Sequence, residues 1–414
     1  MRFADRDSMP LTADNRCPRH PLPAVLAAAS LIVAAAGCSG PSGPPGNNME
    51  PDNASQAVLA ALQSVKAQYA PDSHLAVFDI TPLRQDGQLL LKGEVDNPAA
   101  KQAVLAAAAR AAANVIDRVA VLPSPDLGDR TWGIASLSVL NAREKPGHAS
   151  EMGTQILMGY CFKIWKSRTN WFLVQGADGY LGWTEGGSFA WGTREQVNHW
   201  NASPLLIVTA FEERILEQPD SQAPPVSDVV MGDLVRCTGL EGDWFKVELP
   251  DGRAGYLPKS AAADYAQWRK SRRPTPENIE STARSFLGRP YFWGGNSIRG
   301  MDCSGLTQFV FSLNGIDLPR NASQQRADGA DVPLADDLSY LRKGDLLFFG
   351  RRATTRTPEK ITHVAIYLGG KLFIHSSDRV RLNSLDPASP LSDPPRIRSL
   401  LHARRVLPDP PAKN

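Results

Sequence analysis

Cys303 lies in the run Gly294-Gly295-Asn296-Ser297-Ile298-Arg299-Gly300-Met301-Asp302-Cys303-Ser304-Gly305, between a glycine-rich stretch and a strongly apolar segment. Downstream, His363 opens the strand-like run His363-Val364-Ala365-Ile366-Tyr367-Leu368, and His375 closes the run Leu372-Phe373-Ile374-His375. A thiol, a base and a third polar group in that order are the parts of a cysteine hydrolase. Only a few per cent of a free thiol is ionised at neutral pH, so such a nucleophile needs help. Cys303 stands where a helix should begin, and the unpaired N–H groups of a helix start favour an anion. A neighbouring imidazole is expected to lower the thiol pKa further and later to protonate a leaving amine. Backbone N–H groups beside Cys303 are candidates for an oxyanion site.

Hairpin geometry brings the two histidines together. If Leu368-Gly369-Gly370 is a three-residue loop, His363 stands directly across from His375 on the same face, within about 5.5 Å at Cβ. His375 is then expected to orient His363 and to fix its tautomer. A two-residue loop would put the pair on opposite faces.

The elements that must hold these groups lie between Pro274 and the C-terminus. Thr275-Pro276-Glu277 reads as a helix start, with a capping hydroxyl, Pro at the first position and an acid in the first turn. Ile279, Ala283, Phe286 and Leu287 make one apolar face, and Gly288 ends it. Leu306, Phe309, Val310 and Leu313 give the segment after Cys303 a helical stripe, stopped by Asn314-Gly315. Strands are expected at Asp345 to Phe349, His363 to Leu368 and Lys371 to Ser376. The result is an α+β domain with helices packed on an antiparallel sheet.

Two similar blocks precede it. Asn170-Trp171-Phe172-Leu173-Val174 leads to Gly179-Tyr180-Leu181-Gly182-Trp183, and Asp243-Trp244-Phe245-Lys246-Val247 leads to Arg253-Ala254-Gly255-Tyr256-Leu257. Trp171 to Gly182 and Trp244 to Gly255 have equal spacing, with turn residues between alternating strands each time. Each block is an antiparallel hairpin within a small barrel. Earlier still, a helix at Ser55 to Tyr69 precedes strands at Leu75 to Ile80 and Leu89 to Val95, split by Asp86-Gly87. A helix from Pro98 to Ala113 and a strand from Val115 to Leu122 complete an α-β-β-α-β unit.

Arg16 and Arg19 precede the apolar stretch Ala24 to Ala36, too short to span a bilayer as a mature helix. It ends in Ala35-Ala36-Gly37-Cys38 and runs into a Pro/Gly/Asn-rich tether. Beyond Cys17 and Cys38, the cysteines are Cys161, Cys237 and Cys303. The first two lie in strand-like runs and read as small core residues, with a disulfide between them left open. No Cys/His cluster has zinc spacing, so neither a metal nor another cofactor is expected. The 414 residues are 42% hydrophobic and 21% charged with formal net charge +2, an ordinary globular composition with no strong basic field for nucleic acid.

These motifs carry resemblances. Ala35 to Cys38 resembles a bacterial lipoprotein signal, with Ala35 where Leu is usual. That implies removal of residues 1–37, lipidation of Cys38, a tether over 38–53 and an exported, membrane-anchored envelope protein. The unit at 54–125 resembles the small BON-type domain of envelope proteins, and residues 126–200 and 201–265 resemble tandem bacterial SH3-like domains. Pro290-Tyr291-Phe292-Trp293-Gly294-Gly295, Met301-Asp302-Cys303-Ser304-Gly305-Leu306, Leu318-Pro319-Arg320, Gly344-Asp345-Leu346-Leu347-Phe348-Phe349 and His363-Val364-Ala365-Ile366-Tyr367-Leu368-Gly369 resemble an NlpC-type cell-wall cysteine peptidase over 274–414. The resemblance implies a papain-like fold and a triad of Cys303, His363 and His375. It also implies cleavage of the γ-D-glutamyl to diamino-acid bond of peptidoglycan stem peptides, the diamino acid being meso-diaminopimelate or lysine.

SH3-like barrels before such a domain resemble the endopeptidases that require a free N-terminal L-Ala. Glu151, in Ser150-Glu151-Met152-Gly153-Thr154-Gln155, then matches the acid that meets the substrate amine. Tyr180 matches the hydroxyl of that subsite and Asp302 its second acid. Tyr291 matches the active-site tyrosine, and Ser304 is a pocket wall or a first-turn cap. A desolvated ammonium does need such carboxylate and hydroxyl acceptors. A hydrolase of intact peptidoglycan and a non-catalytic wall-binding lipoprotein are the alternatives, and an acyltransferase on the same fold is conceivable.

Overall fold

The computed structural model describes residues 53–85, 88–112 and 114–408. The signal segment, most of the tether, Cys38 and the Asp86-Gly87 turn lie outside those residues. The chain divides into two units, one ending at Val121 and the other beginning at Leu122.

In the first unit, helix α1 (Asn53–Tyr69), strands β1 (Phe78–Gln85) and β2 (Gln88–Val95), helix α2 (Pro98–Ala111) and strand β3 (Val115–Val121) follow the expected order. β1 and β2 are antiparallel, and β3 joins β2 in parallel. β1 runs later than Leu75 to Ile80 because it is an edge strand, where Pro82 is tolerated. Asn97 caps α2 by accepting from the Ala99 N–H at 2.8 Å, with Pro98 opening the helix. Val58, Leu62, Leu91 and Val104 make the core between helices and sheet.

The second unit starts with two sheets of one design. The first contains β4 (Trp132–Ala135), β5 (Val139–Arg143), β6 (Met152–Leu157), β7 (Cys161–Arg168), β8 (Trp171–Gln175), β9 (Leu181–Glu185) and β10 (Phe189–Gly192). Helix α3 (Arg194–Asn201) leads to β11 (Leu205–Val208), β12 (Glu212–Leu216), β13 (Pro225–Val230), β14 (Leu234–Glu241), β15 (Trp244–Glu248), β16 (Ala254–Pro258) and β17 (Ala262–Asp264). The first sheet is ordered β10-β4-β7-β8-β9-β5-β6, and the second, read from its far edge, β17-β11-β14-β15-β16-β12-β13. Every strand of one sheet therefore has its counterpart in the other. A register shift even recurs at the same place, after Ile164 in β7 and after Cys237 in β14. Cys161 and Cys237 are free thiols.

After helix α4 (Tyr265–Ser271), helix α5 (Pro276–Ser285) starts as expected, the Thr275 hydroxyl accepting from the Asn278 N–H at 3.2 Å. Ile279, Ala283 and Phe286 are fully buried, whereas Leu287 lies beyond the last turn and is exposed. Two short strands, β18 (Asn296–Ser297) and β19 (Gly300–Met301), lead into helix α6 (Cys303–Ser312) and the single turn α7 (Ala322–Gln325). Strands β20 (Ala330–Val332), β21 (Leu346–Arg351), β22 (Lys360–Gly369), β23 (Leu372–Ser377) and β24 (Arg379–Ser384) follow, then α8 (Pro394–Ser399) and β25 (Leu400–Arg405). These strands form one antiparallel sheet ordered β20-β25-β21-β22-β23-β24.

α6 lies on this sheet, with Leu306, Phe309 and Val310 packed against Val364, Ile366 and Ile374. Each such side chain contributes roughly 1.5–3 kcal/mol on burial, which makes the helix start a rigid place for Cys303. Gln155 of β6 locks the first barrel to this domain. It exchanges backbone–side-chain bonds with Asn296 at 3.1 and 3.2 Å and accepts from the Ser297 hydroxyl at 2.9 Å.

Candidate active site

Cys303 is the first residue of α6. Asp302 caps that helix, its Oδ1 accepting from the Gly305 N–H at 2.7 Å. The helix ladder begins with Leu306 N–H to the Asp302 carbonyl, so the N–H groups of Cys303 and Ser304 have no intrahelical acceptor. The loop carrying them is bonded to the sheet. Ser376 Oγ, one residue past His375, donates to the Met301 carbonyl at 2.6 Å, and the Tyr291 N–H donates to the Asp378 carbonyl at 2.8 Å.

The hairpin holding the histidines differs from expectation and still unites them. The turn is the two-residue Gly370-Lys371, both at positive φ (56° and 65°), between the paired Gly369 and Leu372. Alone it would set the histidines on opposite faces. A register shift between Tyr367 and Gly369 adds one residue and restores the shared face. Ile366 pairs with Ile374, so His363 and His375 are diagonal neighbours rather than opposite ones. His363 Nε2 and His375 Nδ1 are 2.8 Å apart.

One residue completes this chain that sequence reading did not single out. His375 Nε2 is 2.9 Å from Asn383 Oδ1, and Asn383 Nδ2 donates to the Leu391 carbonyl at 3.1 Å. That second bond fixes the amide, so its oxygen faces His375. His375 therefore carries its proton on Nε2 and accepts at Nδ1. His363 in turn carries its proton on Nε2, which leaves Nδ1 as a free lone pair. The backbone N–H of Val364, the residue after His363, bonds the Cys303 sulfur, which sets the thiol beside the strand that carries His363. Cys303, His363, Tyr291 and Thr362 line one cleft of about 380 Å³.

Electrostatics run against the simple expectation for the sulfur. Burial first, then the Asp302 carboxylate, push the Cys303 thiol up to about 11, outweighing the Val364 and Ser304 N–H groups and Arg320. Burial also holds His363 well below the ordinary imidazole range, helped by Arg396 and His375, and takes His375 down to about 4 despite the Asn383 bond. Both directions favour the neutral thiol and the neutral imidazole. Burial, with Cys303 and Asp302 beside it, raises the Tyr291 phenol to about 12, so the hydroxyl stays protonated.

Behind Cys303 lies a buried polar cluster. Asp302 accepts from Arg320 at 2.6 and 3.0 Å, from Ser304 Oγ at 3.2 Å and from the Gly294 and Gly305 N–H groups at 3.0 and 2.7 Å. Ser304 also receives Arg320 at 3.0 Å and so belongs to this cluster. Arg320, only 1% exposed, reaches the first barrel through Thr154 Oγ1 at 3.1 Å.

Tyr180 is buried beside this cluster, but the acid it meets is Glu144. Its hydroxyl donates to Glu144 Oε1 at 3.1 Å, whereas Glu151 is exposed. The cause is a bulge. Ala142 pairs with Thr154 and Arg143 with Met152, leaving Gly153 unpaired. A Cβ on Gly153 would stand 2.7 Å from Glu144 Oε1 and 3.0 Å from the Tyr180 ring. The glycine thus opens the space through which Glu144 reaches Tyr180. Glu144 in Arg143-Glu144-Lys145-Pro146, at the end of β5, was the available signal. Burial, then Glu144, raise the Tyr180 phenol. With two carboxylates against one guanidinium, Glu144, Asp302 and Arg320 sum formally to one negative charge. Among the described residues, no His, Cys, Asp and Glu group could hold a metal ion.

Comparison with known proteins bears on the two domains that build this cleft. Residues 288–397 match the NlpC/P60 family, and residues 142–186 match the bacterial dipeptidyl-peptidase SH3 domain. A γ-D-glutamyl-L-lysine dipeptidyl-peptidase of Bacillus cereus is 30% identical over 269 residues, spanning 63% of this chain and 77% of the relative. Dipeptidyl-peptidase 6 of Lysinibacillus sphaericus is 29% identical over 61% of this chain and 90% of its own length. The crystal structure of an NlpC/P60 family protein from Bacillus cereus superposes with a TM-score of 0.58 at 22% identity. It is covered completely and accounts for 67% of this chain.

Proposed function

The chain belongs to the NlpC/P60 family, and on that premise we propose a cysteine peptidase for peptidoglycan stem peptides. It hydrolyses the γ-D-glutamyl bond to a diamino acid and prefers a free N-terminal L-Ala. The observation that carries this reading is the chain Asn383–His375–His363, which leaves His363 Nδ1 as a free base in the cleft that Cys303 also lines.

In the proposed reaction the thiol is neutral at rest, so attack on the γ-carbonyl carbon and loss of the proton to His363 Nδ1 go together. A thioester forms through a tetrahedral oxyanion. The Cys303 N–H, free of the helix ladder, is the donor suited to that charge, with the Tyr291 hydroxyl at the cleft wall. The imidazolium then gives its proton to the departing amine. Water, deprotonated by the same nitrogen, releases L-Ala-γ-D-Glu. His375 accepts from the imidazolium throughout and, held by Asn383, keeps the tautomer right.

The negative cluster supports the free-amine preference. The substrate ammonium meets Glu144 and the Tyr180 hydroxyl. Asp302, its oxygens already taken by five donors, contributes field rather than a direct bond. The N-terminal sequence supports export and anchoring through a lipid on Cys38. The decisive comparison is cleavage of L-Ala-γ-D-Glu-diaminopimelate against its N-acetylated form, followed by mass spectrometry. A drop of at least tenfold on acetylation is expected, and equal rates would remove amine selection from the proposal.

A further inference from the structure

The cleft holds one charged side chain that the proposed reaction does not use. Arg396 comes from α8 and lines the cleft with Cys303, His363 and Tyr291. No hydrogen bond or ion pair of its guanidinium is found among the described residues, and its Cζ stands 5.7 Å from the Phe349 ring. The acid lining the same cleft, Asp378, is already engaged by Arg381 at 3.1 Å. A half-buried cation facing a cleft whose one acid is already paired is costly unless a ligand brings another anion. Burial works against its charge, and the Asp393 carboxylate at the start of α8 offsets only part of that.

Its position indicates which part of a substrate brings the anion. Arg396 shares its cleft with His363, the group that protonates the leaving amine, and its charge acts on that imidazole. The cluster of Glu144, Tyr180 and Arg320 lies behind Cys303 on the barrel side, where the L-Ala-γ-D-Glu part is held. The inference rests on that reading of the site. The residue leaving past His363 is the diamino acid, and of the two kinds only the diaminopimelate type carries a second carboxylate on its side chain. We propose that Arg396 is a specificity-determining residue that binds this side-chain carboxylate, so that the enzyme selects a diaminopimelate-type residue over lysine after the scissile bond.

The test uses the whole mature chain and tetrapeptides ending in D-Ala, so that the α-carboxyl of the diamino acid is always in amide linkage. Four substrates are compared: meso-diaminopimelate, lysine, diaminopimelate with its side-chain carboxyl as the amide, and diaminopimelate following D-isoglutamine. Wild-type kcat/KM should favour the first over the second and third by roughly ten- to hundredfold, the range of a charge-assisted contact. In Arg396→Gln the ratio should fall to near one, chiefly through KM, and Arg396→Lys should keep part of it.

A wild-type ratio near one overturns the inference. So does an Arg396→Gln enzyme that is slower on all substrates with its ratio intact. If amidation at D-glutamate, and not on the diamino acid, removes the effect of Arg396, the carboxylate belongs to the acyl side and the inference falls. Should Arg396→Gln not fold, the wild-type comparison of acid and side-chain amide decides alone. Cleavage of none of the four sinks the peptidase reading itself, a result distinct from equal cleavage of all.

Discussion

Asn383→Leu tests the tautomer chain without touching the residues that meet substrate. In the wild type the Asn383 oxygen, 2.9 Å from His375 Nε2, holds the proton there and leaves Nδ1 as acceptor for His363 at 2.8 Å. Leucine removes that acceptor. His375, buried to 0% exposure, then leaves an N–H unpaired in the productive tautomer, which costs about 1–3 kcal/mol. The alternative tautomer turns an N–H toward His363, which must accept at Nε2 and carry its proton at Nδ1, where no base remains. At 1.36 kcal/mol per factor of ten, kcat/KM should fall roughly 5- to 150-fold.

Asn383→Asp keeps an acceptor in place and should retain activity within about tenfold of wild type. Its negative charge raises the His375 pKa from about 4, so the acid limb of the pH–rate profile moves to higher pH. The assay is kcat/KM across pH on one defined stem peptide, with thermal melts to confirm folding. Wild-type kcat/KM and pH profile in a folded Asn383→Leu enzyme would refute the tautomer argument.

Three further outcomes follow from the same geometry. A thiol raised to about 11 ionises only as pH climbs, so iodoacetamide labelling of Cys303 should rise about tenfold per unit from pH 7 to 10; a plateau already at pH 6 would mean a preformed thiolate–imidazolium pair. Arg320→Met leaves the Asp302 carboxylate buried without its cation and should destabilise the second unit by about 3–5 kcal/mol in denaturant titration. Adding Asp302→Asn should recover part of that loss, and additive losses would contradict the pairing. Gly153→Val fills the space between Glu144 and Tyr180, and should shrink the preference for free over N-acetylated substrate while the acetylated rate changes little.

Much of the fold was legible because periodicity and turns report on local structure. Thr275-Pro276-Glu277 opened a helix, the Leu306-Phe309-Val310 stripe faced the sheet, and the Trp171 and Trp244 blocks became matching sheets. Cys303 and His363 stood out through the chain order of nucleophile and base, and the fold sets both on one cleft. What spacing could not carry was register and burial. The hairpin joined the histidines through a bulge, not a three-residue loop, and the two errors cancelled only because each shifts a strand by one residue. The bulge at Gly153 likewise exchanged Glu151 for Glu144. The thiol moved up because enclosure and Asp302 exceed the pull of the helix start, a balance that no motif displays. Arg396 and Asn383 arrive from elements whose own sequence has no catalytic look.

The matched sheets have a consequence for how a binding surface is acquired. Nine positions after Trp171 stands Tyr180; nine positions after Trp244 stands Arg253. The first turns its hydroxyl to Glu144, while the second donates to the Ser136 and Val226 carbonyls at 2.9 and 3.2 Å and so clasps one barrel to the other. Equivalent sites in twin modules have parted company, one turned to an acid beside the cleft's polar cluster and the other serving as mortar. Copying a module leaves a spare that can carry the architecture while its sibling is released to recognise chemistry.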